Sequence, residues 1–201
     1  MRSITIALCT AVGLYGTQVM ASQDRKAEAA VSKAEILERK VSPESDSSRG
    51  RTPTISRAEA KAVDPDGDGP LEDAITCMAR SIYWESKGLA REKMEAVASV
   101  VMNRVAAEDF PNTVCEVVKQ GAESGPCQFS WWCDGRPDSV QEEEPYSVAV
   151  DVARRTLNQQ VSDPTDGALY FHDQSVRPSW ASTFSLTKEA GGLLFYKPED
   201  D

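Results

Sequence analysis

The stretch LEDAITCMARSIYWESKG, residues 71–88, has the apolar spacing of a helix that packs against a core. Side chains three and four positions apart share one face of a helix. Gly88 ends the pattern, and glycine readily adopts the left-handed conformation that ends many helices. We therefore predict a helix from about 71 to 87. Its apolar face consists of Leu71, Ala74, Ile75, Met78, Ala79 and Ile82.

A single acidic residue, Glu85, lies within this apolar arc in the last turn of the predicted helix. Burial disfavours an ionised carboxylate and raises its pKa. The partial negative charge at the C-terminal end of a helix acts in the same direction. Such a carboxyl group suits a general acid that works near neutral pH. The alternative is a structural salt bridge between Glu85 and Arg80 or Arg104.

Further periodic segments complete a mainly helical α+β fold. Helical spacing predicts helices at about 92–106 and 145–158, with a short helix after Pro111. The runs ALYFH, residues 168–172, and LLFYK, residues 193–197, predict two strands that pair as a small late β-hairpin.

The first 70 residues differ in composition from the rest. Residues 1–21 resemble a secretory signal, with Arg2, an apolar run and small residues up to Ala21. The run is shorter than the ~20 residues that span a bilayer, so membrane contact would require an uncleaved signal. We expect export to the periplasm or cell envelope. Residues 22–70 contain no aromatic residue and predict a disordered linker with a short helix at 25–41, which leaves 71–201 as the folded domain.

Four cysteines remain after residue 21, and an even number in an exported protein predicts two disulfides. They are Cys77, Cys115, Cys127 and Cys133, and the connectivity stays open. A zinc site with His172 is the alternative, but the chain has one histidine and no C-x-x-C pair. Neither a metal nor a cofactor is expected.

The acidic segment DPDGDG, residues 64–69, resembles the opening of a calcium loop. Position twelve of such a loop holds a glutamate, and here it is Ile75, so we predict a turn. The net charge of −10 argues against nucleic acid as a partner, because phosphate binding requires a basic surface. We expect a monomer.

Two aromatic loops suggest a carbohydrate site. They are GPCQFSWWCDG, residues 125–135, and LYFHDQSVRPSWA, residues 169–181. Flat rings cover the apolar faces of sugars, while amides and hydroxyls bind sugar hydroxyl groups. Each tryptophan taken singly is as well explained by core packing. The candidate binding residues are Gln128, Ser130, Trp131, Tyr170, His172 and Trp180.

A series of motifs in fixed order resembles the SleB-type cell-wall hydrolase family, the spore-cortex-lytic enzymes and their relatives in Gram-negative bacteria. The motifs are IYWESKG, VVMNRV, FPNTVCEVV, CQFSWWCDG, ALYFH, VRPSWA and GGLLFY, between residues 82 and 196. The resemblance implies a lysozyme-like, lytic-transglycosylase-like domain that acts on the glycan strands of peptidoglycan, with Glu85 as the catalytic residue. Ser86 and Lys87 depart from the Glu-Ala-Arg-Gly that is common in the family.

In such an enzyme one carboxyl group donates a proton to the oxygen of the bond between N-acetylmuramic acid and N-acetylglucosamine. The resulting carboxylate then takes the proton of the muramoyl C6 hydroxyl group, which closes a 1,6-anhydro ring. A hydrolytic outcome would require a second carboxylate about 5–9.5 Å away, for which Asp134 and Asp173 are candidates. Two other hypotheses stay open. One is a peptide-cleaving enzyme that uses a cysteine with His172, and the other is a sugar-binding module without turnover.

Overall fold

The computed structural model describes residues 12–43, 51–123 and 127–199. In these parts of the chain six helices precede a three-stranded antiparallel sheet, which confirms a mainly helical α+β fold. Short 3₁₀ turns lie at Ser130–Trp132 and Ser179–Ser182. The helices are α1 (Val12–Val41), α2 (Arg57–Val63), α3 (Ala74–Ser86), α4 (Arg91–Ala106), α5 (Val114–Lys119) and α6 (Glu143–Leu157). The strands are β1 (Tyr170–Asp173), β2 (Phe184–Ala190) and β3 (Leu193–Pro198).

Helix α3 lies at the centre of the core and contacts α4, α5 and α6. It begins three residues later than predicted because the Asp73 side chain accepts hydrogen bonds from the backbone N–H groups of Ile75 and Thr76. Such capping satisfies donors that have no partner within the helix. The chain turns after the helix at Gly88, where φ is +76°. The predicted apolar face is buried throughout.

The sheet has the strand order β1-β3-β2. The two predicted strands do pair, with Tyr170 opposite Tyr196 and His172 opposite Leu194. The hairpin itself is formed by β2 and β3, which are joined at Gly191 and Gly192, and β2 was not predicted. Its sequence, FSLTKEA, is largely polar because much of this edge strand faces solvent.

The linker predicted for residues 22–70 is wrong for the described part of that range. Within α1, Ala30, Ala34 and Leu37 are buried against the core, as is Ile55 before α2. The Glu38 carboxylate accepts a hydrogen bond of 2.9 Å from the backbone N–H of Val114, at the start of α5. The helix expected at 25–41 is thus part of a longer, docked helix. Residues 1–11 of the predicted signal lie outside the described residues.

The cysteines pair as Cys77 with Cys115 and Cys127 with Cys133. The first disulfide joins α3 to α5, and the second closes the aromatic loop. Among the described residues, no helix is long and apolar enough to cross a membrane, and no group of His, Cys, Asp or Glu side chains is placed to hold a metal.

The DPDGDG segment forms a turn around the buried Asp64 carboxylate. One oxygen of this carboxylate accepts hydrogen bonds from the backbone N–H groups of Asp68 and Gly69. The other accepts from Arg80 and Tyr146. Asp64 therefore joins the segment before α3 to both α3 and α6.

The docking of α1 can be tested with two neighbouring substitutions. Leu37→Ala removes a buried side chain, and we expect it to lower the free energy of unfolding by about 2–4 kcal/mol. Ile36→Ala is the matched control, because Ile36 is 39% exposed on the same helix and should change stability by less than about 1 kcal/mol. Urea denaturation measures both. Equal effects of the two substitutions would contradict the docked position of α1.

Candidate active site

Glu85 lies in the last turn of α3 and faces a cavity of about 380 Å³. The cavity lies between the end of α3, the loop closed by Cys127 and Cys133, and strand β1. Three of the residues predicted from sequence line it together with Glu85. They are Gln128, Ser130 and His172. Glu85 thus occupies the wall of an open cleft beside polar side chains.

The Glu85 carboxyl group is partly buried, and burial raises its pKa to about 7. The positive charge of Arg104 acts in the opposite direction and is the smaller effect. Within the described part of the chain, no hydrogen bond or ion pair joins this carboxyl group to another residue. Near neutral pH, Glu85 is therefore protonated in a large fraction of the molecules and can donate that proton.

Neither Arg80 nor Arg104, the candidate salt-bridge partners, is paired with Glu85. Arg80 forms a buried ion pair of 3.0 Å with Asp64. Arg104 donates hydrogen bonds to the backbone carbonyl of Leu169, at 2.7 Å, and to the side-chain oxygen of Gln128, at 3.3 Å. The structural interpretation of Glu85 as one half of a salt bridge is thus contradicted.

Arg104 is 3% exposed, and burial lowers its pKa to about 10. Its guanidinium group lies 5.2–5.5 Å from the ring centres of Phe110, Phe129 and Tyr170. Among the described residues its Nη1 has no hydrogen-bond partner. The sequence suggests Arg104 only as a partner of Glu85. Its contact with Gln128 could not be predicted, because nothing in the VVMNRV motif indicates which loop its arginine contacts.

An aromatic cluster adjoins the cavity through His172. Trp180 lies 5.4–5.5 Å, centre to centre, from each of Tyr170, His172, Phe184 and Tyr196. His172 also stacks on Tyr196, with ring centres 5.2 Å apart and planes 16° apart. The cluster brings three predicted residues, Tyr170, His172 and Trp180, into contact. Of these three, His172 lines the cavity, whereas Tyr170 and Trp180 lie behind or beside it and are not part of its lining.

The ring of His172 is held by two hydrogen bonds. Nδ1 lies 2.8 Å from the backbone carbonyl of Asp173, and Nε2 lies 3.2 Å from the Tyr196 hydroxyl. A carbonyl oxygen can only accept, so Nδ1 carries a hydrogen and donates it to Asp173. Both ring nitrogens are occupied within the protein. His172 is therefore held as part of the cleft wall.

Trp131 does not face the cleft. It is 6% exposed and packs within the main hydrophobic core, whereas its neighbour Ser130 is exposed and lines the cavity.

Asp173 also lines the cavity. Hydrogen bonding by Ser175 lowers the pKa of the Asp173 carboxyl group, which is therefore ionised near neutral pH. Leu89 and Phe171, which the sequence did not single out, supply apolar parts of the wall.

The raised pKa of Glu85 predicts a pH-dependent effect of Glu85→Gln on stability. Between the unfolded-state pKa of 4.5 and the folded-state value of about 7, wild type loses stability as pH rises, because the unfolded chain releases its proton first. We expect the amide to be more stable than wild type by about 1–3 kcal/mol at pH 8 and by almost nothing at pH 4.

Denaturation with urea at the two pH values measures this difference. Glu92→Gln is the control, because Glu92 is exposed on α4 and the same substitution there should have little effect at either pH. A gain for Glu85→Gln that is equal at pH 4 and pH 8 would contradict the raised pKa.

Comparison with known proteins identifies the family. The family model for cell wall hydrolases matches residues 89–196, more than half of the chain. The spore cortex-lytic enzyme of Bacillus cereus is 30% identical over 131 residues, which cover 65% of this chain and 46% of that protein. The enzyme of the same name from Oceanobacillus iheyensis is 30% identical over 130 residues, covering 64% and 43%. The chain thus spans less than half the length of these relatives.

A solved structure gives the same indication. The catalytic domain of the germination-specific lytic transglycosylase SleB from Bacillus anthracis is 30% identical to this chain and superposes with a TM-score of 0.50. The match covers 65% of this chain and 98% of that domain, in agreement with the lytic-transglycosylase-like fold expected from the motifs. The chain belongs to the cell wall hydrolase family.

Proposed function

We propose that this protein cleaves peptidoglycan glycan strands between N-acetylmuramic acid and N-acetylglucosamine, as a lytic transglycosylase with Glu85 as its single catalytic acid. The observation that carries the proposal is a partly buried, unpaired carboxyl group with a pKa near 7 in an open cleft. The names of the relatives, spore cortex-lytic enzyme and lytic transglycosylase, support the same reaction. The substrate would place the protein in the periplasm or cell envelope.

The reaction requires two proton transfers at one carboxyl group. Protonated Glu85 donates its proton to the glycosidic oxygen while the bond from that oxygen to C1 of the muramoyl residue breaks. The resulting carboxylate then accepts the proton of the C6 hydroxyl group, whose oxygen attacks C1 and closes the 1,6-anhydro ring. Glu85 is thereby returned to its protonated form, and no second carboxylate takes part.

Arg104 and Gln128 support this sequence of steps from the side of α4. The buried positive charge of Arg104 stabilises the Glu85 carboxylate formed after the first proton transfer. The hydrogen bond from Arg104 orients the Gln128 side-chain oxygen at the cleft, which leaves the Gln128 amide N–H groups free to bind sugar oxygens. Ser130 adds a hydroxyl group on the same wall.

The aromatic cluster provides the apolar surface that a sugar ring requires. Tyr170 and Trp180 are partly buried, so each ring retains an exposed part beside His172. Trp131 does not contact the sugar. Its buried ring instead anchors the loop that carries Gln128 and Ser130. We place the glycan against the Tyr170, His172 and Trp180 side, with Gln128 and Ser130 opposite.

The alternatives have less support. A cysteine endopeptidase would require a free thiol, and Cys77, Cys115, Cys127 and Cys133 are all paired. Hydrolysis of the glycan has one observation in its favour, the ionised Asp173 at the cavity wall. Asp134 is less suitable, because it is not among the residues that line the cavity.

Glu85→Gln tests the proposal directly, because the amide keeps the shape of the side chain but cannot donate a proton. We expect the rate of glycan cleavage to fall by about 10²–10⁴-fold. For wild type, the rate should decrease as pH rises above about 7, because Glu85 must be protonated to act. Mass spectrometry of the products should show 1,6-anhydromuramoyl ends.

Glu92→Gln serves again as the control and should cleave at the wild-type rate. Reducing ends in place of anhydro ends would exclude the transglycosylase outcome and favour hydrolysis with Asp173. Wild-type activity in Glu85→Gln would remove Glu85 from the mechanism. Binding to glycan strands by a wild-type protein that releases no product would instead favour the sugar-binding module.

A further inference from the structure

A second cavity, of about 320 Å³, lies between α2, the start of α4 and α6. It lies apart from the Glu85 cleft, and the two cavities share no lining residue. Its floor is apolar, because it contains the buried side chains of Ala60, Tyr146 and Val150. Its rim carries a cluster of cationic side chains. These are Arg57, Lys61, Arg91 and Arg154.

Three of these arginines share a single carboxylate, that of Asp151. Arg57 lies 3.1 Å from one oxygen and Arg154 lies 2.9 Å from the same oxygen. Arg91 lies 3.3 Å from the other oxygen. One negative charge thus faces three positive charges, in a protein whose net charge is −10. Such a local excess of positive charge favours the binding of an anion.

Hydrogen-bond donors remain available at this rim. Only Nε of Arg57 and Nη1 of Arg91 contact Asp151, which leaves the other guanidinium nitrogens of both side chains without partners among the described residues. Lys61 likewise has no ion-pair partner in the described part of the chain. Among the described carboxylates of the lining, Glu143 opposes an anion, whereas Asp64 is paired with Arg80 and Asp151 with the three arginines.

The position of Arg91 relates this cavity to the glycan cleft. Leu89 lines the Glu85 cleft and Arg91 lines the second cavity, and the two residues are separated by only Ala90. Their Cα atoms are therefore at most about 7 Å apart. A branched substrate whose glycan contacts Leu89 can place its side branch near Arg91. In peptidoglycan this branch is a short peptide that carries free carboxylates.

We propose that this cavity binds a carboxylate of the peptide stem attached to the glycan strand, a specificity that rests on the proposed function. Arg57 and Arg91 hold the carboxylate with paired N–H donors, the arrangement in which guanidinium groups bind carboxylates best. The apolar floor accommodates the neighbouring peptide side chain. The protein thereby selects strands that still carry their peptides.

The test compares wild type with the double variant Arg57→Gln/Arg91→Gln on three forms of one peptidoglycan preparation. The first has intact stems, the second has its stem carboxylates converted to amides, and the third has its stems removed by an amidase. We expect the double variant to raise KM about tenfold on intact stems without a change in kcat. Wild type and variant should have equal KM on the other two substrates.

Arg39→Gln is the matched control, because it removes the same charge from an exposed position on α1 and should leave every KM unchanged. A double variant that keeps the wild-type KM on intact stems would overturn the proposal. An equal loss on all three substrates would overturn it as well, because the arginines would then support only the fold.

Binding separates this proposal from the proposed function. We expect wild-type protein to cosediment with intact peptidoglycan more strongly than with the amidated form, and the double variant to show no such difference. If wild type cleaves none of the substrates but keeps this preference, the carboxylate site stands and the glycan-cleaving function fails. If wild type cleaves the strands but shows no preference, the carboxylate site fails alone.

Discussion

The desolvation of one carboxyl group, that of Glu85, is the constraint around which the cleft is organised. The last turn of α3 is anchored by a buried apolar face, which holds Glu85 at the partly buried wall of the cleft. Burial raises its pKa to about 7, so the group is protonated in a large fraction of the molecules near neutral pH. A solvated glutamate would be ionised at that pH and could not act as an acid.

Arg104 limits how far desolvation raises the pKa of Glu85. A carboxyl group that is too strongly desolvated holds its proton too tightly to donate it, and the nearby positive charge limits the rise in pKa. No ion pair to Glu85 is formed, because Arg104 donates to Leu169 and Gln128 instead. The same guanidinium group thus influences the acid and positions a polar residue of the cleft, which couples α4 to the chemistry at the end of α3.

Local sequence patterns predicted those features of the fold that depend only on local chain geometry. The apolar arc of α3 and the place of Glu85 within it follow from helical spacing, and the pairing of β1 with β3 follows from their apolar runs. The orientation of Trp131 could not be predicted, because in a 3₁₀ turn successive side chains point about 120° apart and only tertiary contacts decide which of Ser130 and Trp131 faces inward. The docking of α1 was missed for a related reason: Ala30, Ala34 and Leu37 form a weak apolar stripe whose receiving surface is built from distant parts of the chain.

The most direct test of the account is a titration of the Glu85 carboxyl carbon by ¹³C NMR, with Glu85→Gln used to assign the signal. We expect a pKa of about 7 in wild type and a higher value in Arg104→Met, because removal of the positive charge leaves desolvation unopposed. A wild-type pKa near the ordinary value of 4.5, unchanged in Arg104→Met, would contradict it.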